Sequence, residues 1–104
     1  MSKVTDDNFD DRVLASTTPV AVMFWQPKCA FCEMLLPALA LVARNLPFVN
    51  FIVINASANP KTKERYALTD FPAVLLFRNG EVVGRKLGAS TSDSVTSWIR
   101  GVLN

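Results

Sequence analysis

Val20-Ala21-Val22-Met23-Phe24-Trp25, then Gln26-Pro27-Lys28, then Cys29-Ala30-Phe31-Cys32 and Glu33-Met34-Leu35-Leu36, is the stretch that decides the fold. Its first part is a nearly continuous apolar run, as expected of a strand buried on both faces. Its second part opens a helix. Leu35, Leu36, Leu39, Val42, Ala43 and Leu46 fall on one helical stripe. Pro37 lies inside that stripe and removes a backbone donor, which predicts a kink, and Pro47 ends the helix. Cys29 and Cys32 are the chain's only cysteines and sit at the junction of strand and helix. Two thiols so placed can cycle between dithiol and disulfide.

The flanking sequence extends this pattern. Asn8 to Ala15 reads as a short helix with Asp10 and Asp11 in its first turn, which suits the helix dipole. Ser16-Thr17-Thr18-Pro19 breaks it. Val49 to Ile54 reads as a second central strand, and Asn59-Pro60 starts a short helix through Tyr66. Ala73 to Phe77 is a further strand. Asn79-Gly80 turns it into the antiparallel partner Glu81–Leu87, because this dipeptide readily takes positive φ. Val95, Trp98, Ile99, Val102 and Leu103 lie at helical spacing behind a cap at Thr91 or Ser92. A short strand around Lys3-Val4 adds an edge. The order predicts an α/β domain, a mixed sheet with helices on both faces.

Composition narrows the chemistry. A chain of 104 residues with 50% hydrophobic and 19% charged residues reads as one domain, 1–104, and not as disordered. A net charge of +2 without a Lys/Arg cluster gives no reason to expect nucleic acid. No apolar run reaches the ~20 residues that span a bilayer, so no membrane partner is expected. The opening Met1-Ser2-Lys3-Val4-Thr5 has no apolar signal core, so a cytoplasmic location is expected. Histidine is absent, which removes Cys-His nucleophiles and imidazole metal sites. One Cys pair is half of a structural zinc site, so no metal is expected.

Several segments, taken in order, resemble the thioredoxin family. They are Thr5-Asp6-Asp7-Asn8-Phe9, Phe24-Trp25 before Cys29-Ala30-Phe31-Cys32, Pro37, Phe71-Pro72, and Asn79-Gly80-Glu81-Val82 with Leu87-Gly88-Ala89. The resemblance covers nearly the whole chain. It implies the thioredoxin fold, a central mixed sheet of about five strands flanked by four helices. It also implies thiol–disulfide exchange with protein disulfides, no bound cofactor, a disulfide reductase as electron donor and a monomer.

The site residues follow. Cys29, at the helix N-terminus, is expected to be the nucleophile. The unpaired N–H groups and the preceding Lys28 would favour its thiolate. Cys32, one turn deeper, would resolve the mixed disulfide. A cis Phe71-Pro72 would present backbone to a peptide, and Gly88 and Ala89 would keep the rim low. Trp25 either packs on the active-site turn or is core, and Trp98 reads as core.

The sequence departs from the family in three respects. Met23 stands where many thioredoxins bury an aspartate beneath the resolving cysteine, and Ile52 stands for the lysine paired with it. Methionine accepts no proton, so slower resolution near neutral pH is expected. Ala30-Phe31 replaces Gly-Pro, which points to a less reducing couple. Lys28 replaces a tryptophan and Asp70 precedes Phe71-Pro72, making the docking rim polar and suited to selective partners. Two other readings stay open: a thioredoxin-fold binding or chaperone subunit, and a disulfide oxidase or isomerase.

Overall fold

The computed structural model describes residues 1–104. Its five strands are β1 (Ser2–Lys3), β2 (Val20–Trp25), β3 (Asn50–Asn55), β4 (Ala73–Arg78) and β5 (Glu81–Leu87). They form one sheet in the order β1-β3-β2-β4-β5. β1 and β2 run parallel to β3, whereas β4 is antiparallel to both β2 and β5. The helices are α1 (Ala30–Asn45), α2 (Pro60–Arg65), α3 (Ser92–Leu103) and a π-helical turn at Asp10–Leu14. This is the expected mixed sheet flanked by four helical segments.

Successive side chains on a strand point to opposite faces, so the apolar run of β2 supplies two cores. Ala21 and Met23 join Val53, Val74 and Leu76 in a cluster closed by Leu35, Leu39 and Val42 of α1 and Val95 and Ile99 of α3. Val20, Val22 and Phe24 join Ile52, Ile54, Leu75 and Phe77 on the other face, closed by Phe9, Val13 and Leu68. Tyr66 packs edge-on to Phe77 at 5.4 Å between ring centroids. Burial on both faces accounts for the absence of polar residues along β2.

Two local expectations need correction. The first helix is π-helical and shorter than predicted, with the Ala15 N–H donating to the Asp10 carbonyl five residues back. The wide turn still buries both Phe9 and Val13. Leu36, placed on the buried stripe by periodicity, is exposed. It overhangs the sheet margin, where β1 is only two residues long and offers little to cover it. α1 runs through Pro37, which lies on its exposed side.

The hairpin follows its sequence signal. Asn79 and Gly80 take φ of 52° and 80°, linking the paired residues Arg78 and Glu81. A side chain at Gly80 would also meet the Leu14 carbonyl at 3.0 Å.

A tie absent from the sequence reading anchors the N-terminus to α2. The Asp6 carboxylate accepts from the Thr62 N–H at 2.9 Å, the Thr62 hydroxyl at 2.7 Å and the Lys61 N–H at 3.2 Å. The Asp6 N–H donates to Asn59 Oδ1 at 2.8 Å. Asn59 itself makes no cap bond, so α2 is capped from 56 residues away. Burial raises the Asp6 pKa, but the Thr62 bonds, the Lys61 N–H and the Lys61 charge outweigh it and hold the carboxyl below its usual 3.8. A depressed carboxyl contributes stability above its unfolded pKa and loses it as pH falls through the folded one. Asp6→Ala is expected to cost about 1 kcal/mol at pH 7, the usual value of a cap. The gap to wild type should narrow as pH falls below 3.8 in urea denaturation.

Candidate active site

β2 ends at Trp25 and α1 begins at Ala30, so the intervening turn places Cys29 as the helix N-cap. Lys28 makes that turn with φ 59°, in the left-handed region. Cys29 returns to extended geometry, with φ −117° and ψ 100°, and its sulfur accepts from the Cys32 N–H at 3.2 Å. That N–H is one of the unpaired donors of a helix start, here satisfied by sulfur instead of the usual oxygen. Cys29 and Cys32 are joined as a disulfide with Cα atoms 5.2 Å apart. Cys32 is only 4% exposed, whereas Cys29 is half-buried.

The Phe71-Pro72 loop lies across from this turn. Its peptide bond is cis. The Phe71 carbonyl oxygen is 3.8 Å from Cys29 Sγ. In the disulfide that sulfur carries no proton, so this is a contact; a reduced thiol can donate there. The Pro72 carbonyl accepts from the Gly88 N–H at 2.8 Å, which links the loop to the end of β5. Gly88 has φ 81°, and a Cβ there would meet nothing within 4 Å. Glycine is favoured at this position by its backbone angle, while the space beside it stays open. Ala89 packs on the α1 side of the core. Asp70 and Lys28 are exposed, as is Phe31 at 61%.

Beneath the disulfide the floor is apolar. Met23 is 1% exposed and shares a cluster with Cys32 and Leu35. Its neighbour across the parallel pair is Val53, and the next residue out is Lys3 of β1. Ile52, which the sequence reading set against Met23, faces the opposite core. A one-residue offset reverses the face of a strand residue, and register cannot be counted from sequence alone. Trp25 is half-buried against the Cys-side core, and Trp98 packs there too, over Gly84.

Sequence reasoning missed two neighbours. Lys63 Nζ lies 5.9 Å from the Phe71 ring centroid, within cation–π range. Lys3 lines a cleft of about 280 Å³ that runs from Met23 and Val53 past both cysteines to Glu33. No local signal marks either, because each contact joins separate elements.

The family described as Thioredoxin matches residues 1–101. The chain belongs to the thioredoxin family. A thioredoxin of Rickettsia prowazekii (strain Madrid E) is 36% identical over 100 residues, covering 95% of each chain. That of Allochromatium vinosum is 35% identical over 97 residues, covering 92% of this chain and 91% of its own. That of Chlamydia muridarum (strain MoPn / Nigg) is 32% identical over 96 residues, covering 92% of each. Thioredoxins are protein-disulfide oxidoreductases, and this member is a thiol–disulfide oxidoreductase with a CxxC pair.

Within this family member the apolar floor has a measurable consequence. A carboxyl introduced by Met23→Asp would lie among Cys32, Leu35 and Val53, and desolvation would raise its pKa. The variant should lose about 1.4 kcal/mol relative to wild type for each unit of that rise. The sign is opposite to Asp6: the penalty is absent below the unfolded pKa and grows until the raised one is passed. Denaturation midpoints at pH 5 and pH 8 check this, with the larger deficit expected at pH 8.

Proposed function

We propose that this thioredoxin-family protein reduces protein disulfides, with Cys29 as the nucleophile and Cys32 as the resolving thiol. One observation carries the assignment: Cys29 is half-buried, while Cys32 is 4% exposed. Only the first is open to a macromolecular disulfide. The Cys32 N–H at 3.2 Å and the helix dipole stabilise a thiolate on Cys29.

In the reduced protein the Cys29 thiolate attacks one substrate sulfur. A mixed disulfide forms, and the other substrate sulfur leaves and takes a proton. Cys32, deprotonated, then attacks Cys29 Sγ. The intramolecular disulfide forms, the bond to the substrate breaks, and the second substrate sulfur departs reduced. Two electrons pass from the Cys pair to the substrate. A disulfide reductase would restore the dithiol, and we take the cytoplasm and the monomeric state as the working setting.

The Phe71-Pro72 loop and Gly88 are proposed to hold an extended substrate segment by backbone hydrogen bonds. Their support is proximity: the Phe71 carbonyl contacts Cys29, and the rim beside Gly88 is open. Lys28 and Asp70 place opposite charges on that exposed rim and would select partners.

Phe31 tunes the couple. Proline at this position would lack an N–H; phenylalanine retains one in the first turn of α1, next to the Cys32 N–H that donates to the sulfur. A further donor stabilises the thiolate, hence the reduced state. The potential is expected to lie above about −270 mV, the general value for thioredoxin. Equilibration with glutathione measures it, and Phe31→Pro should lower it.

Insulin reduction tests the activity. Cys29→Ser should abolish it, whereas Cys32→Ser should accumulate a mixed disulfide with substrate. Met23 favours a second reading, a binding subunit with little turnover, because the floor offers Cys32 no base. Wild-type protein that leaves insulin intact while binding it would support that reading.

A further inference from the structure

The apolar floor leaves the second half-reaction without a buried proton acceptor, yet the cleft beside it holds one carboxylate. Cys32 and Glu33 both line the cleft of about 280 Å³, together with Met23, Val53, Lys3 and Lys28. Met23 and Val53 have no group that takes a proton. Lys3 reaches the cleft from β1 and Lys28 from the active-site turn, and a lysine ammonium only donates. Gln26, also on the wall, is neutral. Glu33 is thus the only acidic residue among those that line the cleft. Glu33 is exposed and Cys32 buried, so the cleft joins a buried thiol to a carboxylate in contact with solvent. Its volume is ample for a water, which occupies about 30 Å³ in the liquid.

We propose that Glu33 is the proton acceptor for Cys32 in the resolution step, acting through water in this cleft, with Lys3 and Lys28 as its flanking cations. This rests on the reductase reading above. With the substrate bound to Cys29 as a mixed disulfide, the Cys32 S–H gives its proton to water, which passes one to the Glu33 carboxylate. The Cys32 thiolate attacks Cys29 Sγ, the Cys29–Cys32 bond forms, and the bond to the substrate sulfur breaks. The substrate leaves as a thiolate, and Glu33 releases its proton to solvent. The cysteine pair is oxidised and the substrate sulfur reduced. The same cleft location accounts for how a chain with Met23 beneath its active site can still resolve the intermediate.

Glu33 has a plainer role to be separated from this one. An acid in the first turn of α1 favours the helix dipole. Charge alone also works against the proposal in one variant. Glu33→Gln removes a negative charge near Cys32, which by itself lowers the thiol pKa and speeds its ionisation. Slower resolution in that variant is therefore not an electrostatic side effect.

The test uses reduced protein and an aromatic disulfide, 5,5′-dithiobis(2-nitrobenzoate), in stopped flow. The first equivalent of coloured thiolate reports attack by Cys29, and the second reports resolution by Cys32. In Glu33→Gln the second phase should slow by at least about tenfold at pH 7 and rise about tenfold per pH unit, while Glu33→Asp restores it. The first phase should change by less than about twofold. A second phase in Glu33→Gln with wild-type rate and pH profile overturns the proposal. So does equal slowing of both phases with a lowered melting point, which marks a dipole role. Absence of any coloured release from the wild type would instead defeat the reductase reading itself, so the two failures are distinct.

Discussion

A single N–H···S interaction organises the active end of this molecule. The Cys32 N–H reaches the Cys29 sulfur at 3.2 Å because Cys29 is the N-cap of α1. A helix start must satisfy its free donors, and here the group that satisfies one is also the sulfur proposed as the nucleophile. The constraint propagates outward. The cap requires an extended residue at position 29 and a left-handed one at 28. It also requires a strand that delivers the chain to that turn. β2 does so from the centre of the sheet, where pairing with both β3 and β4 holds its end rigid.

The two faces of the sheet divide the labour. The face carrying Phe9, Phe24, Tyr66 and Phe77 is an aromatic core remote from the cysteines, with ring centroids 5.4–6.5 Å apart. The other face supports α1 and provides the floor beneath Cys32. A buried charge on that floor would carry a desolvation cost, which Met23 and Val53 avoid. On the proposal above, the chemistry a buried acid would perform falls to Glu33 at the cleft margin. Lys3, Lys28 and Glu33 are exposed around the cleft, whereas its floor is buried.

Long-range ties set the second wall of the site. The Gly88 N–H bond to the Pro72 carbonyl joins the end of β5 to the cis-proline loop. Lys63 of α2 lies over the Phe71 ring, and α2 is itself capped by Asp6 from the N-terminus. The position of the Phe71 carbonyl near Cys29 thus depends on segments scattered along the chain.

Much of this was legible in sequence, for physical reasons tied to particular residues. Period and punctuation are local, so β2, β4, α3 and the Asn79-Gly80 turn followed from apolar spacing and from residues that accept positive φ. The Cys29–Cys32 pair and its place at a strand–helix junction were equally local. Other features rest on contacts between distant segments. Leu36 obeyed helical periodicity yet is exposed, because the sheet beneath it ends with a two-residue strand. Val53 and not Ile52 faces Met23, because strand register sets the face and register is a property of pairing. Asp6 caps α2, and Lys3 meets the same cleft as Glu33, only once the sheet has assembled. The sequence by itself determined the reactive pair, its helix and the elements of the fold. The tertiary structure alone decided which groups surround that pair, because proximity across a sheet is not encoded at any single position.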